Sequence, residues 1–315
     1  MCESLKKPKV SIMVPVYNAK DFIEECIESI LSQSHPNIEL VLSDDCSTDG
    51  TQSTLKKYEN NPRIRLFLNP SNLGVTDNCN QALRACTGEY VCFFAGDDIM
   101  LPGKIEAQVL LMEDNQQASM SYHKVDVFDS ETDKTLYQTE SSRRTVYSFF
   151  DIIEKGGLPG ANSVMARSDC IPATLYDSKF PSVSDWLMFI ELSLKGEVLF
   201  IDQIYARYRK HQGGVSSKAD HLLDETLETL TYIECRFCRH PKIISSCAKG
   251  RRKYLLGSLF RALSFNEKVL IDDLVIRFFK NKNYLMSVLV FSYSKSFFSF
   301  STINQFICGL IKRSS

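Results

Sequence analysis

The chain has 315 residues, which is enough for one large domain or two modest ones with a substantial buried core. Its formal net charge of -1 excludes a protein that binds nucleic acid by neutralising many phosphates. The 11 cysteines are an odd number, and residues 1–8 lack the apolar stretch of a secretory signal, so we expect a reducing cytosol and no disulfide framework.

The first third of the chain alternates between short apolar runs and amphipathic stretches. The β-branched apolar runs predict strands, and the stretches between them show the apolar spacing of helices. The predicted strands cover residues 10–16, 38–42, 64–68 and 90–94, and the predicted helices cover residues 21–33, 52–59 and 78–86. Because helices separate the strands, we expect parallel β-α-β units in an α/β fold with a mostly parallel central sheet flanked by helices.

The rest of the chain shows a looser pattern. Residues 104–115 and 185–195 predict helices, residues 119–140 a pair of strands, and residues 197–208 an extended segment; from about residue 220 the pattern is mostly helical. Gly213 and Gly214 mark a plausible boundary. The predicted organisation is therefore one domain over residues 8–217 and a helical C-terminal region over residues 218–315.

Polar segments follow each of the first four predicted strands, at residues 15–18, 43–51, 69–74 and 95–98. Ligands of open parallel sheets bind at the carboxyl ends of the strands. Two of the segments contain adjacent acids, Asp44 with Asp45 and Asp97 with Asp98, which suit a hard divalent cation that bridges to phosphates. One such pair alone is typical of a solvated turn or a helix cap, but the ordered set indicates a nucleotide site.

Five segments in order resemble the family 2 glycosyltransferases, which are inverting enzymes with the GT-A fold. The resembling segments are residues 10–18, residues 43–51, Asn72–Gly74 with Asn80, residues 88–90, and residues 96–98 followed by Pro102. The close resemblance covers residues 8 to about 115, and a looser one continues to about residue 217.

The resemblance implies which residues bind the donor. These are Pro15, Tyr17, Asn18, Asp45, Asn80 and Asp97. Asp97 and Asp98 match the end of an Asp-x-Asp signature that contacts ribose, diphosphate and metal, but the first acid of that signature is Ala95 here. Cys79 likewise stands where an Arg commonly precedes the equivalent of Asn80.

The resemblance also implies a metal site and a catalytic base. Residues 208–211 with Ser216 resemble a segment that closes over the diphosphate, so His211 joins Asp97 and Asp98 as a predicted metal ligand. Mn²⁺ and Mg²⁺ both accept oxygen ligands, and the sequence does not choose between them. Asp185 matches the general base that takes a proton from the acceptor hydroxyl. Judged without the resemblance, Asp185 is a helix cap.

The implied function is inverting transfer of a hexosyl or N-acetylhexosaminyl group. The donor is a nucleotide-diphosphate sugar, most simply a UDP-sugar, and the acceptor is a hydroxyl of a glycan or lipid-linked acceptor in cell-surface polysaccharide biosynthesis. The alternative is a catalytically inactive nucleotide-sugar-binding protein of the same fold, which Ala95 favours. A dinucleotide-dependent dehydrogenase is disfavoured because no G-x-G-x-x-G follows the first strand.

The C-terminal region leaves its partner open. Residues 274–311 mix basic and aromatic residues, which is typical of interfacial helices or of a cap that packs on the catalytic domain or on a second copy of the chain. No apolar run reaches the roughly 18 residues of a spanning helix. We therefore expect a cytoplasmic protein, peripheral on the inner face of the membrane or homo-oligomeric. Cys235, Cys238 and His240 have metal-like spacing, but without a second pair we expect the cysteines to pack.

Overall fold

The computed structural model describes residues 7–155, 158–211, 219–264 and 267–280, together with residues 286, 287 and 290. The chain divides into two compact units, residues 1–218 and 219–315. The predicted boundary residues Gly213 and Gly214 lie outside the described residues, as do Ser216 and most of the basic and aromatic stretch. The assignment of a catalytic domain to residues 8–217 and a separate helical region to residues 218–315 remains a prediction.

The first unit is built on one mixed sheet of ten strands. They are β1 (Val10–Val16), β2 (Ile38–Asp44), β3 (Ile64–Leu68), β4 (Tyr90–Phe93), β5 (Ile99–Met100), β6 (Ala118–Asp129), β7 (Thr135–Gln138), β8 (Val146–Tyr147), β9 (Met165–Arg167) and β10 (Glu197–Lys210). The sheet order is β3-β2-β1-β4-β9-β6-β10-β5, with β7 paired to β6 and β8 to β10. The four strands from β3 to β4 are parallel, as the alternating pattern predicted.

Beyond β4 the sheet changes direction. β9 runs antiparallel to both β4 and β6, and β10 then runs parallel to β6 along most of its length. The sequence did not predict β9, because its three residues are too few to show an alternating pattern. Because β10 runs in the same direction as β6, its last residues lie at the carboxyl edge of the sheet, where β1, β2 and β4 also end.

Six helices flank this sheet: α1 (Ile23–Leu31), α2 (Thr51–Lys56), α3 (Val75–Ala85), α4 (Lys104–Asp114), α5 (Phe149–Lys155) and α6 (Ser184–Ser193). α1 shows the typical design, since Ile23, Cys26, Ile27 and Ile30 form one buried stripe at helical spacing. α3 begins three residues before the predicted start, directly after Gly74, whose φ of 85° ends the preceding loop.

The described part of the second unit is helical, as predicted, with α7 (Ala219–Arg236), α8 (Pro241–Ser264) and α9 (Lys268–Lys280). Its core contains Leu255, Leu259, Leu274 and Phe278. The prediction that Cys235 and Cys238 pack was wrong, because both are exposed near the end of α7. No helix among the described residues is both long and apolar enough to span a bilayer.

Candidate active site

The loops after β1 and β2 are bound to each other at the carboxyl edge of the sheet. Asn18 has a φ of 48°, which turns the chain after β1. Its side-chain oxygen accepts a hydrogen bond from the backbone amide of Thr48 at 2.9 Å, and its backbone amide donates to Ser47 Oγ at 2.8 Å. Pro15 lies in β1 opposite Ser43. Tyr17, with 54% of its surface exposed, is left free to stack on a planar ligand.

Asp45 ties the loop after β3 to the same edge. Its side chain is buried, and its two carboxylate oxygens accept hydrogen bonds from the amides of Leu73 at 2.6 Å and Gly74 at 3.0 Å. Asn72 donates to the Asp45 carbonyl at 3.2 Å. Asp45 therefore shapes the predicted nucleoside pocket through the third loop, and direct contact with a base remains a prediction.

Asn80 lies apart from these loops, buried on α3. Its side-chain oxygen accepts from the Tyr176 amide and its side-chain nitrogen donates to the Tyr176 carbonyl, both at 2.9 Å. The Asn80 side chain thus holds the segment before α6 against the donor half of the sheet, by which we mean strands β1 to β4 and the helices and loops between them. A donor contact by Asn80 remains a prediction.

Asp97 and His211 form a pair that water can reach. His211 Nε2 lies 3.0 Å from Asp97 Oδ2, and the two side chains are 19% and 30% exposed, respectively. The pair is assembled from the turn after β4 and the residue that follows β10. Two of the three predicted metal ligands therefore meet at the carboxyl edge of the sheet.

Asp98 is in a different position, although it is adjacent in the sequence. It is 1% exposed. Its Oδ1 accepts from the Arg209 amide and its Oδ2 from Asn162 Nδ2, both at 2.9 Å. Burial, with the neighbouring Asp97 charge, raises the pKa of Asp98 well above its usual range. Asp98 thus joins the turn after β4 to β10 and to the turn before β9.

The side chains of Asp97 and His211 fit a divalent cation whose coordination is completed by substrate and water. Among the residues whose placement is described, no three His, Cys, Asp or Glu side chains are arranged as a closed metal site. Mg²⁺, however, is usually held by one or two carboxylates together with water and substrate phosphates, and Mn²⁺ favours similar oxygen ligands. The Asp97 carboxylate meets that requirement and His211 adds one nitrogen ligand, whereas both oxygens of Asp98 already accept hydrogen bonds from the protein.

Arg209 is a residue of this site that the sequence reasoning did not single out. Its Nε donates to the Asp97 carbonyl at 2.7 Å, and its guanidinium is ion-paired with Glu25 of α1. The guanidinium carbon lies 4.8 Å from the ring centre of Phe22 and 4.7 Å from that of Phe128. The sequence did hold a signal for Arg209. In an extended segment every second side chain lies on the same face, so Arg209 shares a face with Arg207 and His211.

Asn162 was also missed as a contact of the acidic pair. It lies in a short 3₁₀ helix, Ala161–Ser163. Gln108 of α4 secures this turn from below by donating to the Ser163 carbonyl at 3.0 Å, and buried Lys104 in turn donates to Gln108 at 2.9 Å. Burial lowers the pKa of Lys104. Gly160 leaves room for Asn162, because a Cβ there would lie 2.8 Å from Asn162 Oδ1.

Asp185 is a half-buried carboxylate rather than a helix cap. α6 begins at Ser184 after an uncapped Val183, so Asp185 lies within the first turn. Its Oδ1 accepts from the Trp186 amide at 2.7 Å, and Trp186 is anchored to the Ile152 carbonyl at 3.2 Å. Burial raises the pKa of Asp185.

Cys79 of α3 connects the two halves of the site. Burial raises the pKa of its thiol to about 12, and the charges of Asp185 and Asp45 contribute further. Asp185 on the second half and Asp45 on the donor half therefore act on the same buried group. Asp185 and Asp45 therefore both lie close enough to Cys79 for their charges to raise its pKa.

Comparison with known proteins identifies the class. The sequence profile described as Glycosyl transferase family 2 matches residues 11–171, just over half of the chain. The chain therefore belongs to glycosyltransferase family 2 and is a glycosyltransferase, as the sequence resemblance predicted.

Individual relatives agree with this assignment. The putative teichuronic acid biosynthesis glycosyltransferase TuaG of Bacillus subtilis is 29% identical over 245 residues, spanning 74% of this chain and 93% of TuaG. The putative glycosyltransferase EpsE of the same organism is 40% identical over 124 residues, which is 39% of this chain and 45% of EpsE.

The fold also matches a solved structure. S. aureus TarS 1–349 in complex with UDP-GlcNAc superposes with a TM-score of 0.65 and 19% identity over 85% of this chain and 80% of that one. The predicted GT-A fold is confirmed. The individual roles of the site residues remain predictions.

Proposed function

We propose that the protein transfers a sugar, with inversion, from a UDP-sugar to a hydroxyl of a glycan or lipid-linked acceptor in cell-surface polysaccharide synthesis. The observation that carries the proposal is that the carboxylates of the site lie in different environments. The Asp97–His211 pair is open to water, whereas Asp185 is a separate carboxylate whose pKa is raised by burial. The naming of TuaG for teichuronic acid biosynthesis and of TarS with UDP-GlcNAc supports the acceptor class and the donor.

The proposed mechanism is a single displacement. Tyr17 stacks on the base of the donor, and the loops joined by Asn18 and Asp45 surround the nucleoside. Asp97 and His211 would hold a Mn²⁺ or Mg²⁺ ion, which would supply positive charge to the diphosphate leaving group. Ionised Asp185 takes the proton of the acceptor hydroxyl as its oxygen attacks the anomeric carbon. The bond from that carbon to the diphosphate breaks, and its electron pair leaves with UDP.

A nucleotide-sugar panel tests the donor. We expect UDP and UDP-sugars, with MnCl₂ present, to raise the melting temperature of the purified protein more than GDP or CDP compounds do. We further expect UDP release when a glycan acceptor is added. Stabilisation by GDP-sugars alone would refute the UDP assignment, and equal stabilisation with EDTA and with MnCl₂ would refute the cation.

A binding protein without catalysis is the second candidate, because Ala95 stands where the signature has its first acid. The same panel separates the candidates. The binding protein would be stabilised by a UDP-sugar but would release no UDP with any acceptor or with water. The intact Asp97, Asp98 and Asp185 favour the enzyme.

We also propose that α9 lies against a membrane surface, which suits a lipid-linked acceptor. Val269, Ile276 and Phe279 are 88%, 54% and 61% exposed at a spacing that places them on one face of α9. Arg277 does not contribute a free charge there, because it is ion-paired with Asp224 and Asp273. The remaining aromatic residues of the predicted stretch lie outside the described part of the chain.

Flotation of the full chain with liposomes of anionic lipid tests this surface. We expect Val269→Glu with Ile276→Glu to reduce the floated fraction severalfold, since each buried apolar side chain contributes about 1.5–3 kcal/mol. Leu136→Glu is the matched control, because Leu136 is 55% exposed on β7 in the first unit. Equal flotation of all variants would contradict the membrane contact, and a concentration-dependent dimer that these substitutions abolish would assign the face to a second copy.

A further inference from the structure

We infer that Arg209 is a positioning residue for the proposed cation site. The inference rests on the proposed function, because it concerns how Asp97 and His211 are presented to the ion. Arg209 acts through the residues it contacts.

The first observation is a row of stacked groups at the end of β10. Arg207 lies over Phe128 with 3.9 Å between the guanidinium carbon and the ring centre, and it is ion-paired with Asp126 at 3.1 Å and Asp133 at 2.9 Å. Arg209 lies on the same ring at 4.7 Å. The strand therefore places two guanidinium groups against one aromatic ring. The ion-pair partners of Arg207 are Asp126 and Asp133, whereas Arg209 contacts Asp97.

The second observation is that Arg209 is fixed on every side. Its side chain is 8% exposed and lies between the rings of Phe22 and Phe128. Its Nε donates to the Asp97 carbonyl, and its other end is ion-paired with Glu25. A planar guanidinium between two rings keeps its hydrogen-bond directions, so the Asp97 carbonyl is held in one orientation.

The third observation is that Phe22 also touches the other predicted ligand. The rings of Phe22 and His211 are 4.9 Å apart at an angle of 53°. Arg209 supports Phe22 from one face while His211 packs on the same side chain. One residue therefore sets the position of Asp97 through its carbonyl and of His211 through Phe22.

The need for such a device follows from the small ligand set. A cation held by one carboxylate and one imidazole depends on their prior alignment, because water and diphosphate supply the remaining ligands. Loss of an outer-shell partner of a metal ligand commonly weakens metal binding about 10–100-fold. Lysine would keep the charge of Arg209 but would lose the planar stack and the Nε bond.

The test is UDP binding, measured by calorimetry at a series of MnCl₂ concentrations. We expect Arg209→Lys to raise the Mn²⁺ concentration for half-maximal UDP binding by about tenfold or more, as for other outer-shell substitutions. Residual binding in EDTA should be unchanged. Arg207→Lys is the matched control, since it alters the same strand face and the same Phe128 contact but not Asp97, and we expect its Mn²⁺ dependence to equal that of the wild type.

The outcomes are separable from those of the proposed function. Arg209→Lys with wild-type Mn²⁺ dependence, or Arg207→Lys with the same loss, would overturn the inference while the UDP and cation assignments stand. A wild-type protein that binds UDP equally with and without Mn²⁺ would overturn the cation assignment, and the inference with it. If Arg209→Lys does not fold, Glu25→Gln provides the test, because its side chain is 56% exposed; we expect a shift in the same direction, and its absence would overturn the inference.

Discussion

Replacement of Asp185 by Asn is expected to abolish sugar transfer and, at neutral pH, to raise the melting temperature of the protein. Loss of a general base lowers turnover by about 10²–10⁴-fold. Donor binding should persist, because Asp185 is not among the residues that form the Asp97–His211 pair. The amide oxygen of Asn can still accept the hydrogen bond from Trp186, so the first turn of α6 keeps its local contact.

The expected gain in stability follows from the sign of the pKa shift. Burial raises the pKa of Asp185 in the folded protein above that in the unfolded chain. The folded state therefore binds the proton more tightly, and the stability associated with the protonated form is lost as the pH rises through the folded pKa. Near pH 7.5 the ionised carboxylate destabilises the fold, and a neutral Asn removes that cost. The difference between the two proteins should shrink as the pH falls towards 4.

Two measurements, transfer rate and thermal melting across pH, check this prediction. The acid limb of the wild-type rate should lie above the ordinary titration range of an aspartate, because activity is lost as Asp185 becomes protonated. Glu191→Gln on the same helix is the control: it removes another largely buried carboxylate, which contacts Thr174, and it should leave the acid limb in place. Near-normal turnover by Asp185→Asn would refute the base, and an inactive but less stable variant would refute the burial argument.

The first four strands could be predicted from the sequence because each is a short run rich in apolar residues. β1 and β3 have the bounds that their apolar runs indicated, and the loops after them carry the polar residues of the site. β9 could not be predicted, since its pairing with β4 and β6 depends on chain segments far apart in the sequence. Its position nevertheless decides where Asn162 lies.

The roles of neighbouring polar residues were beyond the sequence for the same reason. Asp97 and Asp98 are equivalent in a sequence pattern, but the partners of Asp98 come from residues 64 and 111 positions later in the chain. Asn80 matches a donor-binding position, yet its amide is engaged by the Tyr176 backbone, 96 residues away. Local motifs located the site, and long-range hydrogen bonds distinguish the side chains that remain accessible.

The structure predicts opposite results for alanine at the two adjacent acids. Asp97→Ala is expected to abolish the Mn²⁺ dependence of UDP binding and to leave thermal stability nearly unchanged. The reason is that the Asp97 side chain is 30% exposed and its described partner, His211, is also accessible to water. Calorimetric titration of UDP with and without MnCl₂ measures the first effect, and thermal melting without ligand measures the second.

Asp98→Ala is expected to destabilise the protein by about 1–3 kcal/mol, the usual cost of leaving buried donors without acceptors. The Arg209 amide and Asn162 Nδ2 would both lose their acceptor at a site that is 1% exposed. Removing a carboxyl whose pKa is raised by burial offsets part of that cost, which is why we expect a moderate loss rather than unfolding. A stable Asp98→Ala protein without Mn²⁺-dependent UDP binding would instead identify Asp98 as a ligand. Since α1, β4 and β10 meet through Asp98 and Arg209, we expect its loss to loosen the cation site only as a consequence of loosening the fold.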